Sequence, residues 1–101
     1  MKKIKVILEL NVEHQNSKQK LRKETSIYLN PFPELIIDDD DYMDKKNMRI
    51  VMHQIVVKSV RCSMIKEAIL CYCVDEIFKT DVEMHERISF LLNHKWHYCL
   101  G

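Results

Sequence analysis

Glycine is almost missing from this chain. The single one is Gly101, and alanine occurs once, at Ala68. Without an internal glycine there is no P-loop, no dinucleotide-binding fingerprint and no nucleophile elbow, because each needs backbone that a Cβ would obstruct. Cysteine and histidine occur, but no local pattern sets a base against a nucleophile. A chain of 101 residues also has little volume left for a substrate pocket once its core is built. The expectation is a non-enzyme with no small-molecule substrate and no cofactor.

Other absences narrow the class further. No apolar run approaches the roughly 20 residues that span a bilayer. The basic start Met1-Lys2-Lys3 leads into an apolar stretch that Glu9 and Asn11 interrupt, so a secretory signal is not expected. The expected compartment is the cytoplasm, where the four cysteines stay reduced. Neither sign of charge dominates: 16 Lys and Arg stand against 15 Asp and Glu, which excludes a strongly basic nucleic-acid binder or an acidic mimic as a whole-molecule reading.

What is present is pattern. Residues 2–13 alternate, with Ile4, Val6, Leu8, Leu10 and Val12 on one face, the signature of a strand. After a polar turn over His14–Lys18, alternation resumes over 20–29 through Leu21, Lys23, Thr25, Ile27 and Leu29. Residues 30–47 read as an exposed loop, because Pro31 and Pro33 end the strand and adjacent carboxylates repel one another. The β-branched run over 48–62 predicts a long strand. Ser63 predicts a helix cap opening 64–79, and Thr80 with Glu83 forms a capping box opening a second helix over 81–98. The expected fold is α+β and a single domain over 1–101: a three-stranded, mainly antiparallel sheet (2–13, 20–29, 48–62) followed by two C-terminal helices on one face.

Two helices cover one face of such a sheet. The other face would carry Ile7, Tyr28, Val51, Ile55 and Val57, an apolar surface that predicts a protein partner or a homodimer. The carboxylates Asp38, Asp39, Asp40 and Asp41 form a second candidate contact, steering a basic partner. They do not fit a calcium loop: counted from Asp38, the sixth position is Met43 and the twelfth Arg49. The lead expectation is a small cytosolic protein acting by stoichiometric protein–protein binding, as an inhibitor or modulator of host machinery. Its profile, rich in Lys, Ile, Asn and Asp, is shared by many small phage and mobile-element proteins; that association is compositional.

Two alternatives use other residues. Lys3, Lys5, Lys20 and Arg22 would share the solvent side of an N-terminal hairpin and could meet phosphates. A zinc-stabilised module would draw on Cys62, Cys71, Cys73 and Cys99 with His85, His94 and His97. In a helix, however, Cys71 and Cys73 would point apart, which makes a poor chelate. No metal site is expected.

Overall fold

A computed structural model of the chain describes residues 2–44 and 48–99, and for 40–44 and 49–52 it describes the backbone path only. Seven strands and one helix are present among the described residues. They are β1 (Ile4–His14), β2 (Ser17–Ile27), β3 (Ile36–Asp44), β4 (Arg49–Ser63), β5 (Ala68–Cys73), β6 (Glu76–Ile77), α1 (Asp81–Asn93) and β7 (His97–Tyr98). The sheet order is β3-β4-β5-β1-β2-β7, with β6 paired to β1 beyond the end of β5. β1 runs parallel to β5 and β6, and the other pairs are antiparallel. The sheet curls into a half-barrel whose concave face holds the core and the helix. No helix among the described residues is long and apolar enough to cross a membrane.

The expected three-stranded sheet with two helices is therefore corrected to a mostly β fold. The first hairpin forms where alternation predicts it, but its turn is only Gln15-Asn16, closed by His14 opposite Ser17. The inward residues Val6, Leu8, Leu10, Val12 and Leu21 are all buried. At roughly 1.5–3 kcal/mol per buried aliphatic side chain, this row is a main source of stability.

The expected helix over 64–79 is instead a turn, β5 and β6. Ser63 does accept a bond three residues on, from Lys66 N at 3.2 Å, but the chain turns through Glu67 at φ 51° rather than winding onward. Ile69 to Cys73 is rich in β-branched, aromatic and thiol side chains, which pack well on a pleated surface and lose rotamer freedom in a helix. In a strand Cys71 and Cys73 point the same way, and both are buried in the concave core.

The second helix does open at Thr80, whose Oγ1 accepts from Glu83 N at 3.1 Å. It ends at Asn93 rather than 98. Met84, Ile88 and Leu91 face the core, and Trp96 is buried just beyond the helix, while Leu92 is exposed.

The supposed loop over 30–47 contains β3. A strand relieves its carboxylate crowding by sending neighbours to opposite faces. Asp38 accepts from Gln54 Nε2 on the outside at 2.9 Å, while Asp39 turns inward. Asp38 pairs with Gln54 and Asp40 with His53, so Asp39 is the extra residue of a bulge. Bulges re-aim side chains in this way.

On β4 the concave row is His53, Ile55 and Val57. The sequence pattern assigns Ile55 and Val57 to the opposite face, away from the helices, instead. A strand misassigned by one residue exchanges its faces completely.

Candidate functional site

The curl brings the two ends of the sheet toward each other. β2 and β3 are consecutive in the chain, yet they do not pair. Their Cα atoms stand more than 8 Å apart over nearly all of this stretch, against about 4.8 Å between bonded strands. Two clefts fill the gap. One, of about 470 Å³, is lined by Ser26 to Leu29 and Leu35 to Asp38. The other, of about 380 Å³, is lined by Lys23 to Thr25, Asp39 and the helix-end residues Asn93, His94 and Lys95. Residues 23–29 and 35–39 thus line the gap, or seam, between the two strands.

The backbone groups along both edges are turned into it. Lys20 O accepts from Cys99 N, which fixes the even-numbered residues of β2 as those pointing away from β1. Orientation repeats every second residue, so Glu24 and Ser26 present N–H and C=O to the seam. On the other side Leu35 O accepts from Val57 N, so Leu35 and Ile37 face β4 while Ile36 and Asp38 face the seam. At Leu21 and Arg22 the same edge of β2 is already covered by β7. From Lys23 onward no strand covers it among the described residues.

One side-chain latch spans the opening. Lys23 Nζ reaches across to Asp39 Oδ1 at 2.6 Å. Asp39 Oδ2 accepts from Trp96 Nε1 at 2.8 Å and lies 3.2 Å from His53 Nδ1. The other ring nitrogen of His53 lies 3.3 Å from Glu76 Oε2. Arg87 Nε stands 2.9 Å from Glu76 Oε1, an ion pair whose N–H is not aimed at that oxygen. Phe90 meets the His53 ring edge-on at 5.5 Å. Six side chains from β2, β3, β4, β6, α1 and the segment after it thereby close one end of the half-barrel.

Hydrogen bonds, against the cost of burial, decide the charge states here. Burial disfavours the Asp39 carboxylate, but the bonds from His53, Lys23 and Trp96 outweigh it and bring Asp39 down to about 2 from an ordinary 3.8. It also disfavours the imidazolium of His53, yet Asp39 and Glu76 outweigh burial and Arg87 together, so His53 titrates above its ordinary 6.5. With both ring nitrogens against carboxylates, the doubly protonated ring donates twice.

The sign of the pH dependence follows. Asp39 contributes stability that is complete above pH 3.8 and is lost as pH falls toward 2. His53 contributes stability that is complete below pH 6.5 and is lost as pH rises through its raised value. Urea denaturation from pH 3 to 9 should show greatest stability between about pH 4 and 6.5. His53→Gln should flatten the decline on the alkaline side. An unchanged alkaline slope in that variant would refute the assignment.

The residues singled out from sequence are scattered relative to this site. Ile55 and Val57 are buried in the concave core, whereas Ile7 is buried on the convex side with Ala68, Leu70 and Tyr72. Among the described residues the expected continuous apolar face is therefore not formed; the side chain of Val51 lies outside them. Tyr28 is 56% exposed and lines the apolar cleft, with Lys3 Nζ 5.4 Å from its ring centre. Asp38 and Asp39 belong to the seam, and the side chains of Asp40 and Asp41 lie outside the described residues.

The basic face is interleaved with acid. Lys3, Lys5 and Lys20 are exposed, but Arg22 bonds Glu9, its partner in the β1–β2 register. Lys18 likewise pairs with Glu13 at 3.5 Å.

The zinc candidates do not converge. No group of three or more His, Cys, Asp or Glu suited to a metal occurs among the described residues. Burial raises the Cys73 thiol to about 12 and also raises Cys71, which disfavours the thiolate a metal needs.

Sequence reasoning missed Lys23, His53, Glu76, Arg87 and Trp96. One signal was available: a lone histidine in the row Val51, His53, Ile55, Val57 must find polar partners when that row is buried.

No protein-family model matches the chain, and no curated protein and no solved structure is significantly similar to it.

Proposed function

We propose that this chain works by stoichiometric binding to another protein, taking an extended segment of its partner into the seam between β2 and β3. The observation that carries this reading is a pair of unbonded strand edges, more than 8 Å apart over nearly all of their length, that together line one cleft. One added strand needs about 4.8 Å on either side. Exposed edges of this kind are templates for strand addition, in which main-chain bonds supply affinity and alternate side chains supply specificity.

A binder of this type acts as an inhibitor or modulator, by occupying a segment its partner needs elsewhere. The reading is of a module without catalysis, because the one polar cluster near a cleft is committed to spanning the seam. Four unpaired cysteines, two of them buried, suit a reducing compartment such as the cytoplasm. The nucleic-acid alternative is less well supported, since Glu9 and Glu13 neutralise the face it requires.

Proline tests the reading. Ser26→Pro and Ile36→Pro each remove an N–H that points into the seam and takes no part in the ladder with β1 or β4, and proline is tolerated at such edges. The probe is a fluorescent peptide, Thr-Val-Ser-Val-Lys-Thr-Thr, together with its reversed sequence. Each proline variant should stay folded by circular dichroism and lose at least tenfold in peptide affinity. Wild-type affinity in both variants, or no binding of either peptide to the wild-type protein, would overturn the reading.

A further inference from the structure

We infer that the segment taken into the seam carries a lysine or arginine seated between Glu24 and Asp38, followed on the apolar side by residues that point into the half-barrel. This deepens the strand-addition reading and rests on it.

The two edges can be set level by level. Lys23 meets Asp39 across the gap, and counting both strands from that contact puts Thr25 level with Ile37 and Ile27 with Leu35. Those two levels face the concave core, where all but Thr25 of the four pack against buried apolar residues. An inserted strand must offer apolar side chains there, because an unpaired polar group would lose its water without compensation.

The intervening level has the opposite character. The same count sets Glu24 opposite Asp38; both are exposed, and they line the two clefts from opposite edges. Glu24 makes no ion pair among the described residues, and Asp38 takes only the neutral amide of Gln54. Lys23 is already committed to Asp39. Lys95, at the helix end, is the remaining lysine that lines the seam. Two uncommitted carboxylates therefore flank the place where one outward side chain of the added strand must sit. A cation there meets both, while a carboxylate is repelled by both. Like charges directly across a sheet destabilise it, and such juxtaposition is a common source of partner specificity.

The test compares the lysine peptide with the same peptide bearing glutamate at that position, by fluorescence anisotropy at low salt. The wild-type protein should bind the lysine peptide about tenfold more tightly, and the preference should shrink as salt is raised. Glu24→Lys/Asp38→Lys should reverse it, and the milder Glu24→Gln/Asp38→Asn should abolish it. If both peptides bind equally while Ser26→Pro still abolishes binding, the charge inference falls and strand addition stands. If neither peptide binds, or if a second copy of the chain occupies the seam as a dimer by light scattering, both fall.

Discussion

Asp39→Ala should cost about 3–5 kcal/mol of stability, the largest loss expected from a single polar substitution in this protein. Asp39 is 3% exposed in its side chain, Lys23 11% and His53 1%. Removing the carboxylate leaves a cation, an imidazolium and the Trp96 N–H without their shared acceptor. Broken buried pairs are expensive for this reason: the orphaned charge keeps its desolvation penalty and loses its partner. A domain of this size has roughly 5–15 kcal/mol in all, so the variant should be marginal at 37 °C. Asp39→Asn should cost less, since an amide oxygen still accepts one or two of the bonds. Adding Lys23→Met to Asp39→Ala should recover part of the loss by removing the stranded cation, and the double-mutant cycle measures that coupling. Urea denaturation at pH 6 is the measurement. A loss below about 1 kcal/mol for Asp39→Ala would mean that the latch behaves as an ordinary surface ion pair.

Trp96→Ala should be comparably damaging, at about 3–5 kcal/mol. Trp96 is 2% exposed and packs in the same core as Met84, Ile88 and Leu91. Truncation opens a cavity beneath the helix end and removes one donor to Asp39. Trp96→Phe separates the two contributions, because most of the ring is kept while the 2.8 Å bond to Asp39 is lost. It should cost about 1–3 kcal/mol, the range for leaving a buried acceptor short of a partner. Trp96 is the only tryptophan, so the wild-type emission should be blue-shifted in the native state and move to the red on unfolding. The variants are followed by circular dichroism. Equal stability of Trp96→Phe and wild type would show that the indole contributes by volume alone.

Both substitutions act on the seam as well as on stability. The latch joins the edges that the proposed strand separates, so its members set how wide the opening stands.

Local pattern carried individual elements but not the fold class. Alternation from Ile4 to Val12 predicts β1 and its buried face, because a period of two has only one strand interpretation when half the row is apolar. Thr80 and Glu83 mark the start of α1 through a bond made within four residues. The β-branched run marks β4. Each of these signals is local, and local chemistry is what a sequence displays.

Other features depended on partners distant in the chain. Ala68–Cys73 has apolar residues on both faces, so periodicity does not separate helix from strand there; pairing with β1 and β4 decides it. The aspartate run reads as solvated until Lys23, His53 and Trp96 supply the countercharge and donors that let Asp39 go inward. Whether β2 and β3 zip together or stand apart is a property of sheet curl, which sums small twists over many residues and is invisible in any short window. Residue chemistry alone thus determined β1, its hairpin with β2, the cap of α1 and the absence of glycine-dependent catalytic motifs. Tertiary structure alone decided which face of β4 is buried, where the charges meet and that the barrel is left open, because each of these is set by contacts between residues far apart in sequence.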